Sequence, residues 1–158
     1  MFRELTRKKQ QLLPAEWKEV LKTVRRGVLS VTGEEGYPYG MPMNHFYDEE
    51  TGHLFFHSGR TGHRVDAMGQ NSKASYCVVD AGTHVDGDWA LTFRSVIVFG
   101  RLQVVEDPVR GLELCRRLCR CFMTDEGAIE AEIRSALNRT LFFELIPEQI
   151  TGKRVREA

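Results

Sequence analysis

Ser58, Arg60, Thr61, His63 and Arg64 lie close together in the chain, interleaved with Gly59 and Gly62. Hydroxyls, guanidiniums and an imidazole at this spacing are suited to holding an anion. The apolar run Leu54-Phe55-Phe56 precedes them, and Val65 and Met68, three apart, open a helical pattern after them. A strand, a polar turn and a helix start bring unpartnered backbone N–H groups and the positive end of the helix dipole to one place. The side chains add donors and charge, and the glycines let a ligand approach the main chain. A phosphate suits such a cradle. An ordinary capped helix start with solvated arginines uses the same residues, and the segment alone leaves both readings open. His57 stands at the end of the strand beside the cradle, where an imidazole can act as an acid or base.

These groups need elements to position them. Pro14 suits a helix start, and Trp17, Val20, Leu21 and Val24 recur at helical spacing, so a helix is expected from Pro14 to about Arg25. A strand at 28–32 follows, then a tight turn at Gly33–Gly36. Tyr37 to Tyr47 reads as a second strand in which Pro38 and Pro42 lack donors, which marks an edge, a bulge or an irregular stretch. Asp48–Gly52 is a hairpin turn into a strand at His53–His57. A short helix from about Gly62 to Gln70, a strand at Ala74–Asp80 and a loop at Ala81–Asp88 come next. Trp89 to Val105 alternates as a long β run. Helices at Pro108–Met123 and Ala128–Asn138 precede a last strand, Leu141–Ile146, expected to stop at Pro147. The first three strands are joined by tight turns and should pair antiparallel, without βαβ alternation. Six strands with helices outside imply an α+β fold built on a closed or partly closed barrel.

The composition excludes several functions. A chain of 158 residues with 42% hydrophobic and 28% charged residues is expected to form one globular domain, 1–158. Its 22 basic and 22 acidic residues cancel, which gives no bulk attraction to nucleic acid or an anionic membrane. No apolar run approaches the roughly 20 residues of a membrane span. MFRELTRKKQ is basic, but no apolar stretch follows it, so a cytoplasmic protein is expected. Cys77, Cys115, Cys119 and Cys121 then read as reduced thiols. Cys115 and Cys119 fall on a helix face with Leu112, Leu118 and Phe122, as core residues would. Their spacing fits no common zinc or iron–sulfur pattern, so no metal is expected. There is no G-x-G-x-x-G after a strand, no Walker loop, no H-E-x-x-H and no G-x-S-x-G.

Four segments in order carry a resemblance: Gly36-Tyr37-Pro38-Tyr39, Pro42-Met43-Asn44, Phe56-His57-Ser58 with Gly62–Ala67, and Phe93–Gly100. They resemble the pyridoxamine-phosphate oxidase-like flavoproteins, and within them the nitroimidazole-resistance (Nim) group. The resemblance implies a six-stranded antiparallel, Greek-key, FMN-binding split β-barrel with flanking helices, paired as a homodimer with FMN at the interface. It places the phosphate on Ser58, His63 and Arg64, with Arg60 a further contact on physical grounds. It lays the isoalloxazine along Met41, Pro42, Met43 and Asn44, and sets His57 at a flavin-contacting position near the substrate side, as a catalytic candidate. Ser95 stands where the oxidases have a longer glutamine. The C-terminal arginine-and-histidine segment by which vitamin B6 oxidases grip pyridoxal has no equivalent here, so that reaction is disfavoured. The implied activity is reduction of a small oxidised substrate, such as a nitroaromatic or 5-nitroimidazole. The alternative is a non-catalytic flavin- or haem-sequestering protein on the same barrel, with His45, His57 or His84 as iron ligands.

Overall fold

The computed structural model describes residues 1–157. Helix α1 (Pro14–Thr23) starts on a proline, and Glu16 folds back so that its carboxylate accepts the Leu13 N–H at 2.7 Å. The strands are β1 (Arg26–Thr32), β2 (Pro38–Asn44), β3 (Phe46–Tyr47), β4 (Leu54–Gly59), β5 (Lys73–Val79), β6 (Thr83–His84), β7 (Leu91–Val104) and β8 (Thr140–Glu157). Helix α2 (His63–Gln70) follows β4, and α3 (Pro108–Arg120) and α4 (Glu126–Ala136) lie between β7 and β8. Asp107 and Asp125 cap the last two by accepting N–H groups of their first turns. No helix among the described residues is long and apolar enough to cross a membrane.

All neighbours in the sheet are antiparallel, in the order β2-β1-β5-β7-β8-β4-β3, with the short β6 on β7. The two ends of that order, β2 and β3, are separated in the chain by His45 alone. One residue spans only about 3.5 Å, so the sheet must curl until its edges meet. This is the six-stranded split barrel expected from sequence, with β3 and β6 as two-residue additions. The curl encloses Leu29, Val31, Met41, Met43, Phe56, Tyr76, Val78, Val96, Val98 and Phe143. A smaller cluster, Phe55, Leu114 and Leu118, seats α3 on the outside of β4.

His45 makes the corner. It is fully buried, with Nδ1 2.9 Å from the Tyr76 hydroxyl and Nε2 2.8 Å from the Leu21 carbonyl. Tyr76 Oη in turn lies 2.8 Å from the Met43 carbonyl, to which it donates. Burial lowers the pKa of His45 to about 4, so the ring is neutral at pH 7. With both nitrogens engaged inside the core, His45 is not available to ligate iron, which corrects its place among the haem candidates.

The sheet corrects the expected strands in two places. The stretch Tyr37–Tyr47, expected as one strand, breaks at His45 into β2 and β3, because the chain turns from one edge of the sheet to the other there. β8 does not stop at Pro147 but continues to Glu157, an 18-residue strand. Gly100 pairs with Pro147 and Phe99 with Gln149, so Glu148 is an extra residue in a β-bulge. β4 has already left β8 at Leu145, so at Pro147 β8 pairs with β7 alone; only further on does Gln11 bridge Lys153. A proline is tolerated at such an edge, because no neighbour there needs its N–H. The same rule explains Pro38 and Pro42, which lie on the edge strand β2 as their lack of donors led us to expect.

Candidate functional site

β4 delivers His57 and Ser58 to the rim of the barrel, and the turn Arg60-Thr61-Gly62 leads into α2. Gly62 occupies the position just before the helix with φ +116°, a backbone conformation that L side chains rarely adopt. No side chain caps α2. The Val65 N–H turns back to the Gly62 carbonyl at 2.8 Å, which leaves the N–H groups of His63 and Arg64 to solvent or a ligand. Arg64 extends from this turn to Met41, with Nε 3.1 Å from Sδ. Arg60 reaches across to the Asn138 carbonyl at 3.0 Å. Neither guanidinium meets a carboxylate among the described residues, whereas Arg94, Arg110 and Arg116 each do. His63 stacks on Tyr39, with ring centroids 4.2 Å apart and planes 22° from parallel. Ser58 donates its hydroxyl hydrogen to the Gly59 carbonyl at 2.8 Å, so it would have to rotate to serve an anion.

The strand Met41–Asn44 alternates across the barrel wall. Met41 and Met43 are buried in the core, while Pro42 is exposed and Asn44 half-buried. Asn44 Oδ1 accepts from Arg26 Nε at 2.8 Å. Asn44 and His57 both line one cavity beneath α3 and α4. His57 is an exposed residue, yet the apolar atoms crowding its ring, and next the charge of Arg64, lower its pKa. Ser95 stands apart from these contacts: it lies in β7 between Val79 and Lys153.

The candidates thus divide. Ser58, Arg60, His63 and Arg64 share the α2 entrance, Met41 touches Arg64, and Asn44 and His57 share the cavity. Sequence reasoning missed two contributions. Tyr39, the platform for His63, lay inside a quoted motif without a role, and its alternation with Met41 and Met43 was the available signal. The α3–α4 wall of the cavity was read as plain core. Leu118 is indeed buried, but Cys115 and Cys119 are half-buried and face the cavity. Phe122, expected with them in the core, is 51% exposed at the end of α3. Burial, and then the proximity of Cys119, pushes the Cys115 thiol up to about 12, and burial raises Cys119 as well. Both thiols are protonated at neutral pH. Among the described residues no three metal-ligating side chains converge.

An antiparallel curled sheet with its loop–helix entrance at the rim defines a split-barrel protein of the α+β class. The chain belongs to the pyridoxamine 5'-phosphate oxidase family, whose profile matches residues 14–154. Solved structures share the fold. One is a candidate 5-nitroimidazole antibiotic resistance protein from Bacteroides thetaiotaomicron, 18% identical, covering 92% of this chain and 87% of that one, with a TM-score of 0.77. A FAD-binding protein from Mesorhizobium loti is 23% identical over 92% of this chain and 97% of its own, with a TM-score of 0.64. A FAD and heme binding protein from Mycobacterium smegmatis is 18% identical over 91% and 72%, with a TM-score of 0.71. A comparison with curated proteins gave no match.

Proposed function

We propose that this protein is an FMN-dependent oxidoreductase that reduces a small nitroaromatic substrate of the 5-nitroimidazole type. The observation that carries the reading is the α2 entrance, an uncapped helix start on a positive-φ glycine with two guanidiniums that meet no carboxylate among the described residues. Its donor set fits a phosphate monoester, through backbone N–H groups, Arg60 and Arg64. His63, held flat on Tyr39, borders the same site. The main chain of Met41–Asn44 would support the ring system, and FMN would supply the two-electron chemistry when bound. His57 is the candidate proton donor to the reduced substrate, with Asn44 beside it. Family membership, together with relatives described as flavin-binding, supports a flavin. The choice of FMN over FAD is our reading of an entrance with one helix start and the guanidiniums of Arg60 and Arg64 at it.

The reading includes a homodimer. On the outer face of the sheet Pro42, Val28, Cys77, Ile97 and Thr151 form one cross-strand row. Val28 is 42% exposed and Ile97 39%, with Val79 and Phe99 on the same face. An apolar surface that continues across several strands is typical of a covered one. Ile97→Glu is expected to convert a dimer into a monomer at micromolar concentration by sedimentation velocity. A wild-type chain that sediments as a monomer would remove the dimer from this reading.

Titration of the purified protein with FMN, read by quenching of flavin fluorescence, tests the cofactor. Arg64→Ala is expected to weaken FMN binding by about 1–3 kcal/mol, the loss of a charge-assisted bond to phosphate. Unchanged affinity would take Arg64 out of the site. A protein that takes up no flavin would end the proposal.

A further inference from the structure

Helix α3 carries two thiols one turn apart on its inner side. Cys115 and Cys119 are both half-buried and both line the cavity under the α3–α4 hairpin. Side chains four apart on a helix have Cβ atoms about 5–6 Å from each other, so a single bridging atom spans them. The Met123 N–H donates to the Cys119 carbonyl at 2.9 Å, which carries the turn past the end of α3 and brings a thioether to the same wall. Cys121 faces elsewhere. Its thiol donates to the Arg117 carbonyl at 3.3 Å and lines a separate cleft with Lys22 and Asp48. Cys77 is remote again, in β5 between Val28 and Ile97.

A wall of two thiols restricts what binds to it. Structural zinc takes four ligands, and among the described residues no three His, Cys, Asp or Glu side chains converge. A soft monovalent cation on two thiolates would leave a net negative charge in an apolar cavity whose lining already includes Glu132. Both thiols are held protonated by burial, which also slows alkylation and disulfide exchange, since those proceed through the thiolate. The pair therefore suits a thiophilic group that takes two neutral thiols and leaves no charge behind.

We propose that Cys115 and Cys119 form a binding site for a monosubstituted trivalent arsenical, with arsenic bridging the two sulfurs and its organic group in the cavity. The arsenical enters as R–As(OH)2. Two As–S bonds form and two As–O bonds break, and each thiol proton leaves on a hydroxide as water. Arsenic stays trivalent, no electrons are transferred, and the product is neutral. The cavity of about 160 Å³, walled by Leu118, Ile133 and Ala136, limits the organic group to a single ring, because apolar space of roughly 150 Å³ accepts benzene. The step uses no flavin.

Phenylarsine oxide and intact-protein mass spectrometry test the site. The wild-type chain is expected to take up one phenylarsenic unit. Cys115→Ser and Cys119→Ser are each expected to weaken uptake by about tenfold or more, because one sulfur alone forfeits the second, intramolecular bond. Cys77→Ser and Cys121→Ser are expected to leave it unchanged. Ala136→Leu, which narrows the cavity, is expected to weaken phenylarsine oxide and not methylarsonous acid. Trypsin digestion of the wild-type adduct needs no variant to fold. Cleavage after Arg116, Arg117 and Arg120 puts Cys115, Cys119 and Cys121 on separate peptides, and arsenic is expected to join the first two. No uptake, arsenic joining any other pair, or uptake undiminished in both Cys115→Ser and Cys119→Ser would overturn the site. Unchanged phenylarsine oxide binding in Ala136→Leu would overturn the placement of the organic group.

Discussion

Gly100→Ala is expected to lower the unfolding free energy by about 3 kcal/mol or more, a loss readable by urea denaturation. A Cβ at Gly100 would stand 2.2 Å from the Ile146 carbonyl oxygen and 2.9 Å from its carbon, both backbone atoms. Nothing flexible is there to yield. Gly100 sits where the register of β7 and β8 shifts, so the close approach is part of how β8 passes Pro147. Gly69→Ala supplies the contrast. It lies in α2 with no atom within 4 Å of the added Cβ, and is expected to be neutral or stabilising by up to about 1 kcal/mol. Equal stability of Gly100→Ala and wild type would show that the bulge is not held as described.

The second large effect is on acid stability. The pKa of His45 is about 4 in the native state, against the ordinary 6.5. Between these values the unfolded chain takes up a proton that the native chain refuses, so the contribution is complete above pH 6.5 and is lost as pH falls to about 4. The difference corresponds to about 3 kcal/mol. His57 is shifted in the same direction, so the cleaner measurement uses His57→Gln and compares urea midpoints at pH 7, 5.5 and 4.5. A flat profile over that range would refute a neutral, buried His45. The carboxylates of Asp80 and Glu144, lowered by their partners against the opposing effect of burial, act on the same side but at more acid pH. Native neutrality has a structural cost. Three contacts run from the Leu21 carbonyl through the ring and Tyr76 to the Met43 carbonyl, and a neutral imidazole with one phenol has two protons for them.

Much of this arrangement was legible in the chain. Every long strand was found because a half-buried strand alternates and a helix does not, and Pro38 and Pro42 marked the edge strand by their missing donors. The last strand was cut short because a proline usually ends pairing. Whether it does depends on Gly100, 147 − 100 = 47 positions away, and local pattern does not carry that. His45 could not be placed for a similar reason. Its partners Leu21 and Tyr76 are remote in sequence and meet only when the barrel closes. At the site, the hydroxyls, glycines and arginines between Ser58 and Arg64 pointed to an anion cradle because they are adjacent in sequence. The cavity was missed because its walls come from β2, β4, α3, α4 and β8, and each wall alone reads as ordinary core.

The place of β4 in the sheet has a consequence for synthesis. Its pairs with β8, Leu54 with Leu145 and Gly59 with Thr140, join residues 145 − 54 = 91 and 140 − 59 = 81 positions apart. A ribosome adding about 5–20 residues per second needs several seconds to bridge that gap. Throughout it, Leu54-Phe55-Phe56 presents an unpaired apolar edge, the kind of surface that chaperones engage and that aggregates when they do not. Arg60 waits equally for Asn138, and His57 for Phe142. The entrance to α2 and the cavity beside it are thus completed by residues translated long after the segment Ser58–Arg64, and a nascent chain halted before residue 140 would carry the proposed anion cradle without the residues that complete it.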